Sequence, residues 1–177
     1  MRKGFTMVEL LAVIVIMAML IVLVIPGFIN VYSSMKRQNQ QGKISELEAS
    51  ALKYGSTIKD EIKNAPSSCV NVSIDYLITH SYIMSEKEGS NVIMDPTTNS
   101  PLNGDINLCY CKEKLDITAH YVVPFEEKKV YHEGDYVMVG NVMYKCLHDY
   151  TNGSGIHGTY VDEHTNTTKN FFEESKC

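Results

Sequence analysis

The sequence predicts an α+β fold: a long N-terminal helix, half membrane-embedded and half amphipathic, packed on a small antiparallel sheet and followed by a small all-β module. Three observations predict it. An apolar run from Phe5 to Ile25 carries a single charge, Glu9. Beyond Pro26, apolar residues recur at helical spacing as far as Ile62. After Pro66, short alternating runs take over, separated by polar and glycine-bearing turns.

Composition bounds the function. The 177 residues allow one ordinary domain or two small ones. Hydrophobic residues make up 44% and charged ones 21%, which argues against both disorder and multiple membrane spans. The net charge is −5 and the basic residues are thinly spread. No Lys/Arg cluster marks a nucleic-acid site. The five cysteines all lie beyond the apolar run, which favours disulfides in an exported chain over metal ligation. Five is odd, so at least one thiol is free or pairs outside the chain.

The first element is the apolar run. A helix over Phe5–Ile25 covers about 30 Å, the hydrocarbon thickness of a bilayer. Arg2 and Lys3 precede it, so the N-terminus stays cytoplasmic and the rest faces outward. The run is long for a cleaved secretory signal and lacks an A-x-A site. A plain anchor explains length and orientation but not Glu9. A carboxylate inside hydrocarbon costs roughly 2.5–3.5 kcal/mol at mid-membrane, less near the interface.

KGFTMVELLAVIVIMAMLIVLVIP resembles the prepilin signal of type IV pilins and pseudopilins: a short basic leader, Gly4, Phe5, Thr6, Glu9 and a long apolar helix interrupted by Pro26. The resemblance implies that a prepilin peptidase cuts after Gly4, that Phe5 becomes the N-methylated terminus, and that Glu9 pairs with the terminal amine of a neighbouring subunit. The physics supports this, because a buried carboxylate is tolerable only when paired. A lone polar pair can also fix the stagger between helices. Removing residues 1–4 takes away two of the sixteen basic residues and leaves a more acidic exported body.

The second half of the helix follows. Pro26 and Gly27 are expected to kink or locally melt it without ending it. Ile44, Leu47, Ala51, Tyr54, Ile58 and Ile62 form one apolar stripe, and Lys43, Glu46, Glu48, Lys53, Lys59, Asp60 and Lys63 fill the other face. The helix is expected to stop near Lys63, before Asn64-Ala65-Pro66.

In the middle, DYLITHSYI looks like the short helix and turn preceding the pilin sheet, and DPTTNSPLNGD resembles a loop of Gram-positive pseudopilins and minor pilins. INLCYC and ITAHYVV alternate around polar KEKLD and read as a β-hairpin. Cys109 and Cys111 share a face. Cys69 can staple the loop to either, and nothing in the sequence chooses between them. Asp95, Asn99, Asn103 and Asp105 form an oxygen-rich loop. Such residues are first of all turn-formers; the pseudopilin resemblance adds calcium near Asp95 and Asp105 as the second reading.

The C-terminal piece begins after the polar break PFEEKK. YVMV and VMYKCL flank Gly140-Asn141 and predict a hairpin, with Phe171-Phe172 in a third strand. So short a stretch buries little core, and a Cys146–Cys177 disulfide would tie the second strand to the terminus. Tyr131, Gly134-Asp135, Val137, Gly140-Asn141 and Tyr144-Lys145-Cys146 resemble the small carbohydrate-binding modules of families five and twelve. That resemblance implies sugar stacking on Tyr131, Tyr144, Phe171 or Phe172. The late tryptophan of the pattern is absent, since the chain has none. The competing expectation is that these rings form the module's own core.

His148, His157 and His164 share a polar loop with Asp149, Asp162 and Glu163, but their spacing matches no metal motif and reads as solvated loop. No metal site and no enzyme are expected, for no hydrolase, zincin or P-loop signature occurs. The sequons at Asn71, Asn152 and Asn166 say little in a bacterial chain. The expected organisation is a leader at 1–4, a transmembrane helix half at 5–25, a pilin-like domain at 26–123 and the β module at 124–177.

The implied role is a minor pilin or pseudopilin of a type IV pilus, type II secretion or competence filament. Its partners would be other pilin subunits, the prepilin peptidase, the assembly platform and the membrane. It would pass from the bacterial cytoplasmic membrane to an extracellular filament. The alternative is an unprocessed, membrane-anchored surface protein whose C-terminal module binds polysaccharide.

Overall fold

The computed structural model describes residues 6–151, 153, 155–162, 164–165 and 167–175, without the side chains of 22–27, 29 and 30. Helix α1 (Met7–Thr57) has 51 residues and continues through Pro26 and Gly27. It is therefore roughly 75 Å long. Its second half carries the predicted stripe: Leu47 and Ala51 are fully buried, and Ile44, Tyr54 and Ile58 are half-buried. Gly55 sets how closely the helix sits on the sheet. A Cβ added there would lie 3.3 Å from a Leu108 methyl.

The helix does not reach Lys63 unbroken. The Ser56 and Thr57 hydroxyls donate to the Lys53 and Tyr54 carbonyls, a back-bonding that competes with the helical ladder. After Ile58 the chain restarts as α2 (Lys59–Asn64), which buries Ile62. Strand β1 (Cys69–Ser73) follows, and the Ser73 hydroxyl then accepts from Tyr76 N to cap α3 (Ile74–Thr79). That short helix is the one read from DYLITHSYI.

DPTTN is the turn of a minimal hairpin, β2 (Met94–Asp95) and β3 (Ser100–Pro101). The predicted hairpin is β4 (Asp105–Cys111) with β5 (Asp116–Pro124). The next is β6 (Tyr136–Val139) with β7 (Val142–Cys146), turning at Gly140, whose φ of 60° suits glycine. The polar histidine loop contains an unpredicted hairpin, β8 (Thr159–Asp162) with β9 (Thr167–Asn170). Strand β10 (Phe172–Glu174) pairs with β7 as the expected third strand.

The two predicted sheets are one. A six-stranded sheet runs in the order β1-β4-β5-β6-β7-β10. The joint is β5–β6, which pairs in parallel from Val122–Tyr136 to Pro124–Met138. The sheet is thus mixed, not purely antiparallel. Its cores stay separate. Leu47, Ala51, Ile62, Leu77, Ile106 and Leu108 anchor the first, under α1. Tyr131, Val137, Cys146, Tyr150, Phe171 and Phe172 form the second. The boundary near residue 124 divides cores but not the sheet.

Strand register resolves the first disulfide. Cys69 lies directly opposite Cys109, with their Cα atoms 4.1 Å apart and their sulfurs bonded. Tyr110 N donates to Ser68 O beside them, so they occupy a non-hydrogen-bonded pair, where side chains approach most closely. Cys111 is disulfide-bonded too. Cys146 is a buried free thiol, which corrects the expected Cys146–Cys177 bond; Cys177 lies outside the described residues. The reason is orientation: Cys146 is fully buried in the second core and donates to His148 O.

On β5, His120 stacks on Tyr136 with ring centroids 4.2 Å apart, and its Nε2 has no hydrogen-bond partner among the described residues. Burial, then Lys145 and Lys114, hold its pKa below the ordinary 6.5. Below 6.5 the unfolded chain therefore binds more protons at this site than the folded one. Its contribution is present above 6.5 and is lost as pH falls toward the depressed folded value. Denaturant titrations of wild type and His120→Gln at pH 7.5 and 5.5 should show a smaller loss on acidification in the variant. Glu48 is raised above 4.5 by burial and runs with the opposite sign, so only the difference between the two proteins reads His120.

Candidate functional site

The start of α1 is a built cap. Thr6 is extended and occupies the N-cap position. Its hydroxyl accepts from Glu9 N at 3.3 Å, while Glu9 Oε2 accepts from Thr6 N at 3.0 Å and from Thr6 Oγ1 at 2.9 Å. This is a capping box, in which two otherwise orphaned backbone donors are satisfied reciprocally. It also places a carboxylate in the first turn, where the helix dipole favours negative charge. The signal was in the sequence as T-x-x-E ahead of an apolar run. Reading Glu9 only as half of an intermolecular pair passes over Thr6.

From Met7 to Ile21 the large side chains stand exposed around the helix, and Phe28, Val31, Tyr32 and Met35 continue the exposed set. No part of the protein's own sheet covers them. Among the described residues, no helix is long and apolar enough to cross a membrane. The expected membrane half lies partly outside those residues, as do Gly4 and Phe5. Residues 1–25 match the family described as the prokaryotic N-terminal methylation motif. The match supports a type IV pilin-like prepilin signal here, with Glu9 and Thr6 inside it. No curated protein and no solved structure matches the chain.

The C-terminal rings are arranged differently from a sugar platform. Tyr131, Phe171 and Phe172 are almost completely buried, and Tyr144 is half-buried against them. Tyr131 stacks on Phe125 at 5.6 Å and meets Phe172 edge-on at 5.9 Å. Tyr150, which the sequence reading passed over, is fully buried among them. It exchanges backbone hydrogen bonds with Tyr131. Its hydroxyl donates to Glu127 O and accepts from Gly155 N. The hydroxyl of Tyr131 accepts from Glu126 N. Rings whose faces are covered and whose hydroxyls are engaged within the chain cannot stack on a ligand. Small size explains the burial: a core this limited needs every ring it has.

The polar candidates separate. Asp95 is nearly buried, and Thr97 N, Thr97 Oγ1 and Gln40 Nε2 occupy its carboxylate. It closes the β2–β3 turn and ties that turn to α1. Asp105 stands apart, opposite Ser73 at the start of β4. Asp162 is half-buried, and Lys169 with the His164 and Thr165 amides brings its pKa down to about 2. His148 instead lies over the Tyr160 ring, 4.4 Å between centroids. Among the described residues, no three histidine, cysteine or carboxylate side chains converge. Glu163 lies outside them.

Two outcomes test the aromatic core. Phe172→Ala should cost about 3–5 kcal/mol in denaturant unfolding, as a core ring does and an exposed platform ring does not. The Cys146 thiol, pushed up to about 11 mainly by burial, should resist alkylation at pH 8 in the folded protein and react on unfolding, as peptide mass spectrometry would show.

Proposed function

We propose that this chain is a minor pilin or pseudopilin, a structural rather than catalytic subunit. A prepilin peptidase cuts it after Gly4, Phe5 is methylated, and the subunit enters a filament of the type IV pilus, type II secretion or competence kind. The observation that carries the reading is the methylation motif over residues 1–25, which contains the Thr6–Glu9 cap and most of the exposed apolar first half of α1. In a filament the exposed side chains pack on the equivalent helices of neighbours, and before assembly they face lipid. Its partners are other pilin subunits, the peptidase and the membrane-embedded assembly platform.

The C-terminal module supports a minor role. It adds a second core to one edge of the pilin sheet, bulk that a densely packed major subunit has to accommodate at every repeat. The anchored polysaccharide-binder alternative rested on aromatic platforms, and three of its four rings are core.

Mass spectrometry of the membrane-extracted protein should find a mature N-terminus at a methylated Phe5. An intact Met1, or an end beyond Ile25, overturns the reading. Glu9→Ala should leave the protein in the membrane fraction while removing it from sheared filaments. Equal recovery of variant and wild type in filaments would contradict the assembly role.

A further inference from the structure

The six-stranded sheet is open, and its two edges differ. The β10 edge carries Glu173 and Glu174, charges of the kind that keep strand edges from pairing. The β1 edge, Cys-Val-Asn-Val-Ser, carries none. Cys69, Asn71 and Ser73 occupy the non-hydrogen-bonded positions of the β1–β4 ladder, so their backbone groups point away from β4. Ser67 Oγ occupies those of Cys69. Asn71 and Ser73 are exposed, and no turn or loop among the described residues bonds to their amides.

Along that edge runs an open groove of about 320 Å³ whose walls include Tyr54, Tyr76 and Asp105. The two rings pack on each other at 5.1 Å and give it an apolar side. Its charge is acidic at the Ser73 end. Asp105 is exposed opposite Ser73, Asp75 opens α3 immediately after, and Glu61 lies close enough to act on Tyr54. Lys59 and Lys63 sit over Tyr110, opposite Ile117 and away from the Ser73 end, and His80 stacks on the Tyr76 ring at 3.9 Å.

We propose that the β1 edge is a docking site for an extended segment of a partner protein, one that alternates apolar with basic residues. The segment adds to β1 through the Asn71 N–H and C=O and the Ser73 N–H, the Ser73 carbonyl belonging to the first turn of α3. It lays its apolar side chains on Tyr54 and Tyr76 and pairs a basic one with Asp105. Strand addition of this kind draws affinity from main-chain hydrogen bonds and specificity from alternate side chains. A second copy entering through its own β10 edge would bring Glu173 and Glu174 against Asp105 and Glu61, so charge favours a different, basic partner. The site lies outside α1's exposed half and does not depend on filament assembly.

The test uses the full chain in detergent micelles and two capped peptides, one alternating valine with lysine, the other valine with glutamate. The lysine peptide should bind, weaken with added salt and slow hydrogen exchange at the Asn71 and Ser73 amides. Asn71→Pro removes an outward donor without removing a ladder bond, and Asp105→Lys reverses the charge. Each should weaken binding by about tenfold. Where circular dichroism shows Asn71→Pro unfolded, Asp105→Lys decides alone. Absent binding, equal binding of the glutamate peptide, or binding that leaves both amides unprotected overturns the proposal. So does protection that grows with protein concentration without peptide, because the occupant is then a second copy.

Discussion

The structure depends on how α1 is seated. Only one stripe of that helix can be buried by the chain itself, because a single small sheet reaches a single face. Leu47 and Ala51 go fully into that contact, and Gly55 lets the helix come down onto Leu108. Ion pairing and hydrogen bonding then hold the adjoining loops to the helix: Lys43 bonds Glu86 and the Met94 carbonyl, and Gln40 bonds Asp95. N-terminal to that seat, the large apolar side chains described from Met7 to Ile21, with Phe28, Val31, Tyr32 and Met35, are left uncovered. The same helix is therefore a core element at one end and an uncovered apolar surface at the other, and the filament reading rests on the second property.

Strand β5 carries the seat into the rest of the molecule. It pairs antiparallel with β4 along one edge and parallel with β6 along the other. Tyr121 N points to the β6 side just before that parallel pairing begins, and Glu48 of α1 accepts from it at 2.9 Å. A half-buried carboxylate thus fills the place where the ladder changes partner. The crossover from β5 to β6 supplies Phe125 and Tyr131 to the second core. The C-terminal module is consequently held by ladder hydrogen bonds and by its core, and is not a bead on a linker.

Much of this was legible in the sequence because it is local. The apolar stripe, the KEKLD and Gly140-Asn141 hairpins and the Phe172 strand follow from periodicity and turn chemistry, while the DYLITHSYI helix was read from the pilin resemblance. What was missed is non-local or masked by composition. The β5–β6 joint rests on three residue pairs across a crossover, and no spacing rule announces so short a parallel contact. The choice of Cys109 over Cys111 needed strand register, which one residue pair decides. The β8–β9 hairpin has only Tyr160 and Val161 as apolar residues, adjacent rather than alternating, among threonine, aspartate, lysine and asparagine, so it lacks the alternation that betrays a strand. The family-like aromatic spacing was read correctly as a β module, yet the spacing is silent on whether a ring faces water or core. At the candidate site, Glu9 was found by its oddity in an apolar run. Thr6 was read as one residue of the motif, and its role at the helix start shows only when the capping box is considered.

The cap also bears on how one carboxylate can serve two purposes. Within the chain, Glu9 stabilises the first turn of a helix that otherwise opens with bare amides. Between chains, the filament reading asks it to meet a neighbour's terminal amine. These demands do not compete for the same atom. Among the described residues, both Thr6 contacts fall on Oε2, and a carboxylate has four lone-pair sites on two oxygens. Oε1 can accept from an amine while Oε2 holds the cap. A glutamate already oriented by Thr6 also loses less side-chain freedom on pairing than an unrestrained one, since long side chains otherwise give up about 1.5–2 kcal/mol of rotamer entropy. An aspartate or glutamine at position 9 would each keep part of this. Aspartate keeps the charge on a shorter reach, and glutamine keeps the reach without the charge. On the filament reading the pair needs both, and a glutamate three residues after a threonine supplies both.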